Sequence, residues 1–331
     1  MVITKTPFRM SFFGGGTDME DYFRENGGTV LSTTFDKYCY VTVRHLPRFF
    51  EYKTHLTYSK MEYVNNYDEI QHPAIRNAMK WLDMHELRLT YDSDLPARSG
   101  LGTSSSFAVG MLNAFYALKG KYVDKKRLAD EAIYLERVLC HEVGGWQDQI
   151  AASFGGFNRI NFNENGYEVL PLIISSDRKK KLNQNLMMYF TGFTRFSSEI
   201  QKINQFDKKA SYIHLREMQA LTEQAEKVLV DKEVNLDEFG YLLDQTWKLK
   251  RKTGSAVSTD SIDEIYEKGI HAGALGGKLL GAGGGGFLLF YVHPEQQENL
   301  RQAMSGLMHI PFEFETEGTR IIYYTPENYE A

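Results

Sequence analysis

Glycine placement constrains this chain more than any other feature of its sequence. The 28 glycines gather at Gly14-Gly15-Gly16, at Gly100 and Gly102, at Gly144-Gly145, at Gly155-Gly156, and between Gly273 and Gly286, where eight fall. Glycine loses the most backbone entropy on ordering, so such clusters belong where the chain takes positive φ or closely approaches another group. Several tight turns, or one phosphate site, meet that description.

Composition narrows the setting. At 331 residues the chain has room for two packed domains, and 42% apolar with 24% charged residues is ordinary for a folded globular protein. The net charge of -5 makes nucleic acid an unexpected partner and any anion site a local one. Two cysteines, Cys39 and Cys140, in apolar contexts fit a reducing compartment. Leu279 to Val292 is uncharged but too short to span a bilayer, and MVITKTPFRM lacks the apolar run of a secretory signal. A cytoplasmic protein with no membrane partner is expected.

Val2 to Phe13, Thr29 to His45 and Leu87 to Tyr91 read as strands, the second from period-two alternation around Cys39, Val41 and Val43. The period changes at Ser104, where Phe107, Ala108, Met111, Leu112 and Phe115 mark a helix. Asp124 is a plausible N-cap for a second helix, and Phe157 to Ile160 with Tyr167 to Leu172 reads as a hairpin. The second half opens with a strand at Met187 to Thr191. Helices follow around Ile200 and at Tyr212 to Val230, Leu236 to Lys250 and Asp260 to Ala272. A strand at Phe287 to Val292, a helix at Pro294 to Leu307, and strands at Phe312 to Phe314 and Arg320 to Tyr324 complete the pattern.

The loop Pro96-Ala-Arg-Ser99-Gly100-Leu101-Gly102-Thr103-Ser104-Ser105-Ser106 carries the strongest chemical signal. Its glycines let backbone N–H groups turn toward one point, the helix N-terminus adds positive partial charge, and four hydroxyls can bind phosphate or a metal ion. A serine-capped turn is the simpler alternative, but a cap needs only one hydroxyl. No Walker A pattern occurs, and Gly281-Ala-Gly283-Gly284-Gly285-Gly286 precedes a strand, whereas a dinucleotide fingerprint follows one. Lys278 and this run read instead as a loop approaching the first site.

Three segments in the same order resemble the signature motifs of the GHMP kinases, the superfamily of galactokinase, homoserine, mevalonate and phosphomevalonate kinases. They are Thr6-Pro-Phe-Arg9-Met-Ser-Phe-Phe-Gly14-Gly15-Gly16-Thr17-Asp18, Pro96 to Ser106 with Thr103 in place of the first serine, and Leu280 to Gly286. The resemblance implies an α+β fold of two domains. Residues 1–178 would form an ATP- and Mg-binding domain like ribosomal protein S5 domain 2, and residues 179–331 a ferredoxin-like domain. Within the superfamily, Gly14 to Asp18 is similar to sugar-1-kinases acting on D-glycero-D-manno-heptose 7-phosphate. It is less similar to L-fucokinases, which tend to carry a bulky aromatic at the third glycine, and galactokinases have Glu-His where Gly15 and Gly16 stand here.

What the resemblance implies for single residues can be set beside simpler readings. Asp148 would be the catalytic base, or else a loop cap. Glu136 and Ser104 would ligate Mg²⁺ beside ATP, although Glu136 could form only a surface ion pair. Arg9 would stabilise developing charge or keep Asp148 ionised, or be a strand-edge arginine. Asp18 would hydrogen-bond sugar hydroxyls, or cap a helix around Asp21 to Arg24. Pro96 and Ser99 to Ser106 would hold the ATP phosphates, while Gly14 to Gly16, Thr17, Gly283 and Gly284 face the sugar. A sugar phosphate needs a second anion site, for which Arg195 after a glycine turn is the candidate; Lys248, Lys250, Arg251 and Lys252 read as a solvated helix end. The expected ligands are ATP, Mg²⁺ and a sugar phosphate, with a homodimer allowed. An isoprenoid-pathway kinase and a non-catalytic regulator that binds ATP and sugar are the other readings.

Overall fold

The computed structural model describes residues 1–97, 99–192 and 208–326. Its strands are β1 (Val2–Phe13), β2 (Gly28–His45), β3 (Thr54–Thr57), β4 (Met61–Val64), β5 (Leu87–Ser93), β6 (Phe157–Asn163), β7 (Gly166–Pro171), β8 (Leu186–Phe190), β9 (Gly276–Leu279), β10 (Phe287–Tyr291), β11 (Met308–Ile310), β12 (Phe314–Glu315) and β13 (Arg320–Tyr324). The helices are α1 (Glu20–Asn26), α2 (Pro73–Trp81), α3 (Thr103–Leu118), α4 (Lys125–Ile133), α5 (Gln147–Phe154), α6 (Ser176–Gln184), α7 (Lys208–Val230), α8 (Asp237–Arg251), α9 (Asp260–His271) and α10 (Gln297–Ala303).

The 18-residue strand β2 is the spine of a nine-stranded sheet. β1 runs antiparallel along nearly its whole length, while β6 takes its first half on the other edge and β5 its second half. Helix α3 is apolar on every side and buried almost throughout, packing between β1, β2, α4 and α5. Its position brings the loop before Thr103 to the C-terminal end of β1.

A four-stranded sheet in the order β11-β8-β10-β9 forms the second layer set. The chain then returns to the first sheet, where β12 pairs with β2 and β13 with β1. Residues 314–324 therefore complete the sheet built by residues 1–171. The two halves also share one core: Phe12 and Phe13 of β1 meet Phe239 of α8 edge-on, at ring separations of 5.3 and 5.2 Å. Burying aromatic pairs of this kind adds about 0.5–1.5 kcal/mol each beyond their area.

Most expected elements are present, and the departures have local causes. Helix α3 begins at Thr103, one residue before the expected start. Its N-cap is Gly102 in the left-handed region at φ 72°, with no side-chain cap. Asp124 does cap α4, accepting from the Arg127 N–H at 2.8 Å, but the helix loosens into a π turn over Tyr134–Leu139. The expected helix from Pro294 to Leu307 is a single 3₁₀ turn followed by α10. The helix expected around Ile200 lies outside the described residues. Among the described residues no helix is long and apolar enough to cross a membrane.

The two glycine loops touch through their backbones. A Cβ on Gly281 would lie 2.7 Å from the Gly100 carbonyl oxygen, at φ 84°, and a Cβ on Gly100 would lie against the Leu280 carbonyl. Gly281→Ala should therefore cost about 3 kcal/mol or more in chemical denaturation, through strain and a forced separation of the loops. Gly120→Ala is the control: its φ is also positive, 66°, but its Cβ would meet nothing within 4 Å, and a loss of about 1 kcal/mol is expected. Equal losses for the two variants would contradict the loop-to-loop contact.

Candidate active site

At the end of β1 nearest the α3 loop, Arg9 is 5% exposed and donates from Nε to Asp148 Oδ1 at 2.7 Å. A second guanidinium N–H reaches the Gly100 carbonyl at 2.6 Å, and the Arg9 backbone N–H bonds to the Leu101 carbonyl. Asp148 stands in the first turn of α5, where the helix dipole favours an anion. It is thus a helix residue and not a loop cap. Gly102 covers the pair: a Cβ there would be 3.3 Å from Arg9 Cγ and 3.4 Å from Asp148 Cγ.

Asp18 is 2% exposed and does not cap α1, whose cap position is Met19. Its Oδ1 accepts from the Gly16 N–H at 2.9 Å and its Oδ2 from the Gln147 N–H at 3.2 Å, tying the glycine turn to the start of α5. Burial, then the nearby Asp148 charge, push its pKa above the usual carboxylate value, with the backbone donors pulling the other way. Gly14 and Thr17, expected to face a sugar, build this turn instead. A Gly14 side chain would strike the Thr29 carbonyl, and the Thr17 hydroxyl lies 2.8 Å from the Gly14 carbonyl and accepts from the Thr29 N–H. Gly15, Gly16 and Asp18 line the cleft.

Glu136 is 1% exposed on the π turn, a place where such turns often serve function. It is not in a surface ion pair. Its oxygens accept from Ser104 Oγ at 3.0 Å, from Ser105 Oγ at 2.7 Å and from the Gln149 amide. All three donors are neutral, and no Lys or Arg pairs with it among the described residues. A buried carboxylate without a cation, beside an exposed serine hydroxyl, is an oxygen-only donor set that suits Mg²⁺. No cluster of three His, Cys, Asp or Glu is present among the described residues, so the rest of a metal shell would come from water and phosphate.

The hydroxyl run is therefore divided in its work. Ser104 and Ser105 line the cleft, but Ser106 donates to the Pro7 carbonyl at 2.9 Å, and Leu101 is a core side chain. Both were expected at the phosphates. Ser99 is fully buried and Thr103 nearly so, whereas Pro96 is exposed at the loop entrance. Gly283 and Gly284 pack on Val257, to whose carbonyl the Gly284 N–H donates at 3.0 Å; the cleft meets Gly281 and Ala282 in their place. Arg195 lies outside the described residues.

Two lysines complete the wall. Lys278 of β9 is 1% exposed and donates to the carbonyls of Ser11 and Phe12 at 2.8 and 2.7 Å. Burial holds its pKa well below the usual lysine value. Lys250, expected on a solvated helix end, points into the cleft from the last turn of α8 and reaches the Gly281 carbonyl. Its neighbours in sequence explain the misreading, since Lys248 is exposed and pairs with Asp244 one turn back. Only the inward face of an amphipathic helix end could have signalled Lys250.

Residues 69–156 match the GHMP kinases N terminal domain and residues 232–310 the GHMP kinases C terminal domain. The D-glycero-alpha-D-manno-heptose 7-phosphate kinase of Campylobacter jejuni is 32% identical over 91% of this chain and 92% of its own length. The L-fucokinase/L-fucose-1-P guanylyltransferase of Bacteroides fragilis is 27% identical over 86% of this chain, which spans 34% of that protein. The crystal structure of a D-glycero-D-manno-heptose 1-phosphate kinase from Bacteroides thetaiotaomicron superposes with a TM-score of 0.79 at 25% identity, covering 98% of this chain and 99% of that one. Fold and relatives together define a phosphotransferase that acts on a hydroxyl group. The chain belongs to the GHMP kinases, with their mixed helix and sheet, two-domain fold, and ATP is the donor that membership implies.

Lys250 provides a test of the site's electrostatics. Burial, then the Arg9 charge, lower its pKa from 10.5 to about 8. Between about pH 8 and 10.5 the unfolded chain binds the extra proton, so this group's share of stability rises with pH across that window. The stability of wild type relative to Lys250→Met should increase there by about 2 kcal/mol, read from paired denaturation curves. A flat difference would contradict the buried position of the ammonium.

Proposed function

We propose that this protein transfers the γ-phosphoryl group of ATP to the anomeric hydroxyl of D-glycero-D-manno-heptose 7-phosphate, yielding the 1,7-bisphosphate. The observation that carries the reading is a single cleft holding Arg9–Asp148, Ser104–Glu136 and Asp18. The names of the heptose relatives differ in where the sugar already carries phosphate; a 7-phosphate acceptor leaves the anomeric oxygen to be phosphorylated. An ATP-binding domain over residues 1–178 and a second domain over 179–331 is the division proposed, with the amendment that β12 and β13 of the second span pair with β2 and β1 of the first.

In this mechanism Asp148 accepts the proton of the attacking hydroxyl as the new oxygen–phosphorus bond forms and the bond to the departing ADP breaks. Arg9 fixes the orientation of the carboxylate through its Nε–H. The N–H groups of the loop from Ser99 to Thr103, at the start of α3, receive the ATP phosphates. Ser104 and Glu136 would hold Mg²⁺, which when bound neutralises phosphate charge. Asp18, Gly15 and Gly16 contact the sugar. Lys250, which spends one N–H on the Gly281 carbonyl and keeps two further donors, is the cation assigned to a sugar phosphate. L-fucokinase chemistry is less well supported, because Gly16 stands where those enzymes tend to carry a bulky aromatic, and its φ of 106° disfavours any side chain there.

An ADP-release assay over a panel of sugars and sugar phosphates tests the reading. Heptose 7-phosphate should give the highest kcat/KM, and Asp148→Asn should lower kcat by about 10²–10⁴-fold. Near wild-type turnover in that variant would remove the mechanism. Preference for L-fucose or galactose would remove the substrate, and binding without ADP release would favour the non-catalytic reading.

A further inference from the structure

β1 and α5 meet in two neighbouring rungs. Arg9 and Ser11, two residues apart on β1, face the same side, and they stand opposite Asp148 and Gln147 of α5. The first rung is the ion pair already described. The second is neutral. Ser11 is 4% exposed and Gln147 8% exposed, both line the cleft, and neither Ser11 Oγ nor Gln147 Oε1 has a hydrogen-bond partner among the described residues.

Each rung also lies beneath a glycine. As Gly102 covers Arg9 and Asp148, Gly15 covers Ser11 and Gln147: a Cβ there would be 3.4 Å from Ser11 Oγ and 3.6 Å from Gln147 Nε2. The two polar side chains thus converge on the space that a residue 15 side chain would fill. Buried polar atoms left unpaired are costly, so a ligand group that pairs them is strongly favoured. The main chain on both sides is already committed. The Ser11 carbonyl accepts from Lys278, and the Gln147 N–H donates to Asp18.

We propose that Ser11 and Gln147, beside the space that Gly15 leaves for want of a side chain, form the subsite that reads one hydroxyl of the acceptor, adjacent to the hydroxyl that reacts at Asp148. A serine hydroxyl and a primary amide each donate and accept, which matches a neutral hydroxyl and does not favour a phosphate. This inference rests on the acceptor being a sugar and adds the residues that choose among sugars. Sites built to hydrogen-bond a hydroxyl reject analogues lacking it far more strongly than apolar pockets reject a missing methylene.

The test uses Gln147→Leu and, in case α5 is disturbed, Ser11→Ala. The acceptors are D-glycero-D-manno-heptose 7-phosphate and its 2-, 3- and 4-deoxy forms, or the same series of whichever sugar the panel selects. Each variant should lose about 10–100-fold in kcat/KM on the parent sugar and keep its ATP affinity within about twofold. One deoxy sugar, already slow with wild type, should suffer little or no further loss in the variants. Equal losses on the parent and on every deoxy sugar would show a merely structural role and overturn the subsite. So would unchanged kcat/KM on the parent. Absence of turnover with every sugar would remove the acceptor reading and the subsite with it, whereas turnover without coupling removes the subsite alone.

Discussion

The cleft exists because two backbones lie against each other without side chains between them. Gly281 rests on Gly100, and Gly286 rests on the Ser99 carbonyl. Lys278 adds a second tie, spending its ammonium on two carbonyls at the end of β1. The second sheet therefore closes onto the loop that precedes α3, and Arg9 can reach both the Gly100 carbonyl and Asp148. A third tie of the same kind lies at Gly155 and Gly318, where the returning chain passes over the end of α5. Each contact leaves no space for a Cβ, so the relative position of strand, loop and helix has little freedom.

That rigidity lets functional groups sit in environments that would otherwise be costly. Asp18 and Glu136 are almost wholly buried carboxylates, and neither has a lysine or arginine as a hydrogen-bonded partner. Each is held by neutral donors fixed from different elements: Asp18 by the turn after β1 and the start of α5, Glu136 by α3 and α5. Such donors offset part of the desolvation cost but leave the charge itself uncompensated. Local placement is thus favourable for a ligand and unfavourable for the empty fold, the usual relation between site and stability.

Much of this was legible in the residues. The glycine loop before α3, the β1 and β2 pairing and the helices of the second half all follow from periodicity and turn chemistry. The motif residues Arg9, Asp18, Ser104, Glu136 and Asp148 do converge on one cleft. What was not legible depends on contacts far apart in sequence. Nothing local marks Leu101 as core or Ser106 as bonded to Pro7, because a loop motif does not say which of its atoms face inward. α2 and the β3–β4 hairpin were missed since four-residue strands and a nine-residue helix carry weak periodicity. The return of β12 and β13 to the first sheet joins residues about 300 apart, beyond any window of pattern reading. Ser11 and Gln147 look like ordinary polar residues until their neighbours are in place.

The charges around the cleft give a last constraint. Asp18, Asp21, Glu136, Glu142 and Asp148 line it, against Arg9, Arg137, Lys250 and Lys278. The carboxylates outnumber the cations by one, and the pairing is uneven as well. All four cations donate to backbone carbonyls, Lys278 and Arg137 to two each and Arg9 and Lys250 to one each, and of the four only Arg9 is in an ion pair among the described residues. Meanwhile Glu142, exposed at the rim of the cleft yet close to Glu136, has its pKa raised by partial desolvation and then by its neighbour's charge. Carboxylates crowd the Glu136 end, while Arg9 and Lys250 stand near Asp148, and burial and then the Arg9 charge lower the lysine's pKa. In the proposed reaction a phosphate donor carrying a divalent cation would answer both ends of the cleft, the cation beside Ser104 and Glu136 and the phosphates beside Lys250. A protein with a net charge of -5 would then bind an anion through local groups, without a basic surface.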